Sequence, residues 1–143
     1  MYFMDGSSFS RRDWTRLLPL LALAGAAGQG KALPSKTYRF EDMPVKTNGQ
    51  NSSRAILNGE THTGLPIELH MTELAPGLAP HPPHHHEREE LVLIEEGTLE
   101  VTISGRSAKL GPGSVAYVAS NEEHGWKNVG QNRARYFVMA IGK

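Results

Sequence analysis

The sequence feature that most limits the fold is a series of short segments in which apolar and polar residues alternate. In residues 66–74, Ile67, Leu69 and Met71 fall on one face of an extended chain, and polar residues occupy the other. Turn-forming residues such as glycine, proline and asparagine separate these segments. The predicted strands cover residues 38–40, 54–57, 66–74, 91–94, 98–104, 107–110, 115–118, 124–129 and 135–141, and residues 48–53 are predicted as a loop. Helical periodicity is not evident after residue 32, so the sequence predicts an all-β sandwich or barrel.

The composition excludes several classes of function. The chain has 143 residues, enough for one domain with a substantial core, and 15 Lys plus Arg balance 15 Asp plus Glu. This balance gives no reason to expect a nucleic acid or an anionic membrane surface as a partner. Because the chain has no cysteine, thiolate metal sites, thiol catalysis and disulfides are excluded.

The N-terminal residues resemble an export signal. Arg11 and Arg12 follow a serine and precede the apolar run 17–27, which ends in small residues. This order is typical of a secretory signal, and the paired arginines resemble the twin-arginine type. The run is shorter than the roughly 20 residues of a spanning helix, so stable membrane insertion is not expected. An amphipathic or buried N-terminal helix is the alternative interpretation.

These observations divide the chain into three parts. We expect residues 1–32 to be the signal peptide, residues 33–53 an N-terminal strand and loop, and residues 54–143 the β-barrel. The localisation that follows is the bacterial periplasm or the extracellular space.

Potential metal ligands occur at His84, His86 and Glu90, immediately before the apolar run 91–94. In an extended strand, side chains two or four residues apart point to the same face, which groups these three and turns His85 away. Imidazole and carboxylate ligands together suit a divalent transition metal. A solvated histidine-rich loop that binds metal without a defined pocket is the alternative. A second polar cluster, which contains His124, offers a fourth ligand.

The two clusters together resemble the two motifs of the cupin superfamily, specifically of its small single-domain members. The first motif corresponds to Gly77, His84, His86, Glu90 and Gly97, and the second to Gly113, His124 and Asn128. This sequence departs from the family pattern by one extra residue after Gly77, and by Ala119 and Asn121 where proline and glycine are usual. Asparagine tolerates a left-handed backbone, so we expect Asn121 to replace the glycine of that turn.

The resemblance implies a double-stranded β-helix barrel in which His84, His86, Glu90 and His124 hold one metal ion. Mn, Fe, Ni, Co and Zn all suit such a ligand set. Trp126, Tyr117, His70 and Asn128 are candidate pocket-lining residues, although each could instead belong to the core or to a solvent-exposed face. A homodimer is expected by analogy.

Two functions agree with this ligand set. The first is a metal-dependent enzyme, an oxygenase, decarboxylase or isomerase that acts on a small polar organic molecule. The second is a non-catalytic protein that binds a metal or a small ligand. The sequence assigns no catalytic residue. His81 could be an acid or base at the rim or a solvated loop residue, and Glu68, His70 and Thr72 could face either the cavity or the solvent.

Overall fold

The strands predicted from alternation are present in the computed structural model, which describes residues 32–143. Within these residues the secondary structure comprises a short 3-10 helix at Phe40–Asp42 and nine strands. The strands are β1 Val45–Asn48, β2 Asn51–Glu60, β3 Pro66–Leu74, β4 Glu89–Glu96, β5 Leu99–Ile103, β6 Arg106–Leu110, β7 Val115–Val118, β8 His124–Asn128 and β9 Ala134–Ile141. The all-β prediction is confirmed. Among these residues there is also no helix with the length and apolarity that a membrane span requires.

The strands form two sheets, and every pairing between neighbours is antiparallel. The larger sheet has six strands in the order β1-β2-β3-β9-β4-β7, and the smaller has three in the order β6-β5-β8. Apolar side chains from both sheets form one core, in which Val92, Leu99, Val101, Trp126 and Tyr136 are buried. Burial of each large apolar side chain contributes about 1.5–3 kcal/mol to folding, so this shared core holds the two sheets together.

Cross-strand register determines which side chains share the inner face of the larger sheet. In one row, Glu90 of β4 lies opposite Ala140 of β9, and Ala140 lies opposite Glu68 of β3. In the next row, Val92 pairs with Val138 and Val138 pairs with His70. Because side chains on one face repeat every second residue, the register brings polar groups of β3 to the same face as Glu90.

The N-terminal part of the described chain differs from the prediction at two places. Residues 38–40 are not a strand, and Phe40 instead begins the 3-10 helix. Residues 51–53 belong to β2, which forms a hairpin with β1 through a tight turn in which Gly49 has a φ of 59°. The predicted loop failed because β1 is exposed along its whole length, so its polar residues do not distinguish an edge strand from a loop.

The segment before β1 lies against the larger sheet. The amide of Leu33 donates to the Glu60 carbonyl over 2.9 Å, and the Phe40 ring centroid lies 4.2 Å from the guanidinium carbon of Arg54. The predicted signal peptide, residues 1–32, falls outside the described residues except for its last one.

Gly97 lies in the turn after β4 and Gly105 in the turn after β5. Comparing alanine substitutions at the two positions tests how tightly β9 packs against the first turn. Both have positive φ, 81° and 77°, but an added Cβ would lie 2.7 Å from the Ala134 Cα at Gly97 and would meet open space at Gly105. We expect Gly105→Ala to cost about 1–2 kcal/mol for the left-handed backbone. Gly97→Ala should cost about 1–3 kcal/mol more, because β9 has to move. Urea denaturation measures both, and equal losses would contradict this account.

Candidate metal centre

Four predicted ligands come together from three places in the chain. His84 and His86 lie in the segment before β4, Glu90 is the second residue of β4, and His124 begins β8. The two histidine segments are joined through their backbones: the His84 amide donates to the His124 carbonyl over 3.0 Å, and the His124 amide donates to the His84 carbonyl over 2.8 Å. This isolated bridge holds together two residues, His84 and His124, that are 40 positions apart in the sequence.

The side chains converge at one point. Each of the three imidazoles offers a nitrogen, and these nitrogens all lie within 4.8 Å of one another. Glu90 lies against two of the three rings: its Oε1 is 3.2 Å from His86 Nε2 and its Oε2 is 3.2 Å from His124 Nε2. His124 is 1% exposed and Glu90 is 9% exposed, so water has little access to the imidazole or to the carboxylate.

Hydrogen bonds to the backbone determine which ring nitrogens face Glu90. His86 Nδ1 lies 2.8 Å from the Arg88 carbonyl, and His124 Nδ1 lies 2.8 Å from the Glu122 carbonyl. A carbonyl only accepts, so both Nδ1 atoms carry the proton and donate it. In the neutral rings, Nε2 is then an acceptor that points at the acidic side chain of Glu90.

The donor set therefore fits a bound cation. An ionised carboxylate accepts only, so neither oxygen of Glu90 can hydrogen-bond the Nε2 lone pairs that face it. Glu90 Oε2 and His124 Nε2 are buried without any hydrogen-bond partner. Buried polar groups are rarely left so, and a metal ion or an added proton between them is what this arrangement requires.

His84 has a different partner from the other two histidines. Its Nδ1 lies 3.0 Å from Nδ1 of His81, so a side chain occupies the position that carbonyls occupy at His86 and His124. Partial burial lowers the pKa of His84, and the nearby His81, His124 and His86 lower it further. A neutral ring is the form that binds metal.

The four candidate pocket residues occupy different environments. Trp126 is a core residue whose ring stacks against His124 at 5.8 Å between centroids and meets Tyr136 edge-on at 5.9 Å. Asn128 is fully buried, and its side chain donates to the carbonyls of Leu74 and Asn132 and accepts from the Gly130 amide. The structure does not bring Tyr117 to the cluster, because its side chain is 53% exposed on the outer face of β7.

His70 lines a cleft of about 560 Å³ on the inner face of β1, β2 and β3. Burial lowers the pKa of His70. The negative charges of Glu68 and Glu90 raise it, but by less than burial lowers it. Glu68 is held by Arg88, whose guanidinium lies 3.1 Å from its carboxylate. The sequence did not reveal the polar lining that β1 and β2 contribute, which includes the paired residues Lys46 and Ser53.

Comparison with known proteins agrees with this geometry. The family model described as the cupin domain matches residues 70–140, a range that contains all four predicted ligands. This match supports membership of the cupin superfamily. No curated protein matches the sequence.

Solved structures show the same fold at low sequence identity. An RmlC-like cupin from Shewanella frigidimarina is 15% identical with a TM-score of 0.64, over 77% of this chain and 93% of that one. A predicted oxalate decarboxylase from Thermotoga maritima is 19% identical with a TM-score of 0.67, over 76% and 100%. The polyketide cyclase RemF from Streptomyces resistomycificus is 21% identical with a TM-score of 0.64, over 77% and 81%. The prediction of a cupin double-stranded β-helix is confirmed.

The structure also explains one departure of this chain from the cupin motif. Asn121 has a φ of 62°, so it takes the left-handed conformation expected of the residue that replaces glycine. Its amide donates to the His86 carbonyl over 2.8 Å, which ties the loop before β8 to the segment that carries His84 and His86.

Replacement of Glu90 by glutamine tests whether the Glu90 carboxylate repels the Nε2 lone pairs of His86 and His124. At pH 8, where imidazole is ordinarily neutral, we expect Glu90→Gln to stabilise the metal-free protein by about 1 kcal/mol, because the amide can donate to an Nε2 lone pair. Urea denaturation in EDTA measures this change. Glu87→Gln, at an exposed position of the same segment, serves as the control and should stay within about 0.5 kcal/mol of wild type. A destabilised, metal-free Glu90→Gln protein would show that the acceptors do not repel.

Proposed function

We propose that this protein is a metal-dependent cupin enzyme that acts on a small polar organic molecule. In this proposal His84, His86, Glu90 and His124 hold one divalent transition metal ion. The observation that carries it is the buried pair of acceptors, Glu90 Oε2 and His124 Nε2, which face each other at 3.2 Å without a hydrogen-bond partner. A cation between them converts a repulsive contact into two ligand bonds.

The metal would supply Lewis-acid activation of a carbonyl or enolisable group, or a binding position for dioxygen. The reaction types that follow are oxygenation, decarboxylation and isomerisation. Mn, Fe, Ni, Co and Zn each suit the ligands. Twin-arginine export carries folded proteins, so a weakly held ion such as Mn or Fe could be loaded before export, and elemental analysis of protein from its own host tests this.

The chain's own residues favour a polar substrate beside the cluster. The cleft offers hydroxyl and amide groups together with His70, and Arg88 keeps the Glu68 carboxylate near that ring: Glu68 Oε1 lies 3.7 Å from His70 Nδ1. Since burial lowers the pKa of His70, the ring is neutral at pH 7 and can accept a proton from a bound substrate or hold one by hydrogen bonding.

Metal titration tests the proposed site. Wild-type protein, stripped with a chelator, should bind one Zn²⁺ per chain and gain about 2.7 kcal/mol of stability at a free concentration one hundred times Kd. His124→Ala and Glu90→Ala should lose most of this gain. His85→Ala is the matched control, because His85 is exposed and outside the cluster. Binding of several ions with equal weakness, or unchanged binding by His124→Ala, would contradict a defined site.

Turnover separates an enzyme from a non-catalytic metal- or ligand-binding cupin, which is the alternative function. Oxygen uptake and product formation are measured for a panel of small organic acids, keto acids and sugars with metal-loaded wild type. Turnover that disappears in His124→Ala and after chelation supports an enzyme. Saturable binding of a panel member without turnover supports the alternative.

Export and dimer formation are also proposals. Export rests on Arg11, Arg12 and the apolar run 17–27, and fractionation of the host with detection of the shortened mature chain tests it. The homodimer rests on analogy and is consistent with the exposed apolar side chains Leu93, Val115 and Tyr117 on the outer face of β4 and β7. Sedimentation equilibrium tests it.

A further inference from the structure

The cleft on the inner face of β1, β2 and β3 contains one unpaired charge. Its lining includes a single ammonium group, that of Lys46, and a single carboxylate, that of Glu68. The Arg88 guanidinium lies 3.1 Å from the Glu68 carboxylate and neutralises it. Every ion pair among residues 32–143 uses an arginine or a histidine, so Lys46 has no carboxylate partner among them. The cleft therefore presents a free positive charge.

Cross-strand register places a hydroxyl group beside this charge. Lys46 of β1 lies opposite Ser53 of β2, and Ser53 lies opposite Thr72 of β3. Side chains directly opposite one another point to the same face, with their Cβ atoms about 5 Å apart. Among the described residues the Ser53 hydroxyl has no hydrogen-bond partner, whereas that of its neighbour Ser52 donates to the Glu73 carboxylate over 3.4 Å. An ammonium and a free hydroxyl on adjacent strands offer two donors to one anionic group.

The same register leads from Lys46 toward the metal centre. Inner side chains repeat every second residue along β3, so the row that contains Thr72 is followed by that of His70 and then by that of Glu68. Glu90 lies in this last row, with β9 between the two carboxylates. His70 therefore lies between the Lys46 end of the cleft and the row that carries a predicted ligand.

The loop before β4 also links the cleft to the cluster. Pro80 lines the cleft, and Nδ1 of the next residue, His81, lies 3.0 Å from Nδ1 of His84. A molecule that is bound at Lys46 and extends along β3 therefore approaches the histidine cluster.

We propose that the cleft binds the carboxylate of a small organic acid, through an ion pair with Lys46 and a hydrogen bond donated by Ser53. For the remainder of the molecule, which extends past His70 toward the cluster, this rests on the proposed metal-dependent function. Organic acids are then the substrate class of that site. A carboxylate fits better than a phosphate group, because the single charge of Lys46 balances one negative charge and Glu68 repels a second.

Acetate is the probe, because it is the smallest stable carboxylate apart from formate, and acetamide is its neutral match of nearly the same shape. Acetate, acetamide and inorganic phosphate are titrated into the metal-free protein and again after addition of Zn²⁺. The backbone amide shifts of Lys46 and Ser53 are followed by NMR, since neither residue belongs to the cluster. The variants are Lys46→Gln and Ser53→Ala. The matched control is Lys109→Gln, because Lys109 is also exposed on an edge strand, β6, but lies in the smaller sheet.

We expect acetate to shift the Lys46 and Ser53 amides in a saturable manner and acetamide to leave them unchanged. Lys46→Gln should weaken acetate binding about 5- to 10-fold, because it removes an exposed ion pair together with its hydrogen bond. Ser53→Ala should weaken acetate binding about threefold, since it removes one hydrogen bond and no charge. Lys109→Gln should bind acetate as tightly as wild type does.

Acetate that leaves the two amides unshifted, or that binds Lys46→Gln as tightly as wild type, would overturn the carboxylate site. Phosphate that binds at the same amides more tightly than acetate would overturn the assignment to carboxylates. If Zn²⁺ binds at the cluster and acetate does not bind in the cleft, the carboxylate site is wrong and the metal site stands. If acetate binds in the cleft of a protein that binds no Zn²⁺, the carboxylate site stands and the proposed metal-dependent function fails.

Discussion

A buried carboxylate that faces two imidazole lone pairs is the constraint on which this site depends. Glu90 lies 3.2 Å from Nε2 of both His86 and His124, and the carbonyls of Arg88 and Glu122 commit the opposite ring nitrogens to donation. Water cannot relieve the contact at His124, which is 1% exposed. Burial of opposed acceptors is costly, so the core around them has to hold a geometry that a metal ion or an added proton makes favourable.

Backbone pairing supplies that rigidity. The His84–His124 bridge links the segment before β4 to the first residue of β8, and the Asn121 amide ties the next loop to His86. Trp126, two residues after His124, anchors β8 in the core against Tyr136 of the opposite sheet. His124 is therefore placed by β8, where four of the five residues are buried. The cleft is lined mainly by exposed and half-buried residues of β1, β2 and β3, and none of the four predicted ligands is among them.

Alternation alone was enough to predict most of the strands, because the period of two survives wherever one face is buried. It failed at residues 48–53, where β1 and the start of β2 contribute polar residues to an exposed edge and to the cleft. Alternation also did not predict which face of β7 carries Tyr117. An aromatic residue in a short strand can occupy either face, and a shift of one position moves it from one face to the other. Spacing grouped His84, His86 and Glu90, and the resemblance to cupins added His124. The contact between the rings of His84 and His81 was not predicted from the sequence.

By itself the sequence determined the all-β class and grouped His84, His86 and Glu90, because these depend on local periodicity. The resemblance to cupins added His124 and the turn position of Asn121, whose left-handed backbone follows from the conformational preference of asparagine. Tertiary structure alone decided that His124 faces Glu90, that Asn128 satisfies backbone groups instead of lining the cleft, and that Lys46 and Ser53 share a face with His70. The physical reason is register: contacts between strands distant in sequence depend on how β3, β4, β8 and β9 align, and no local pattern encodes that alignment.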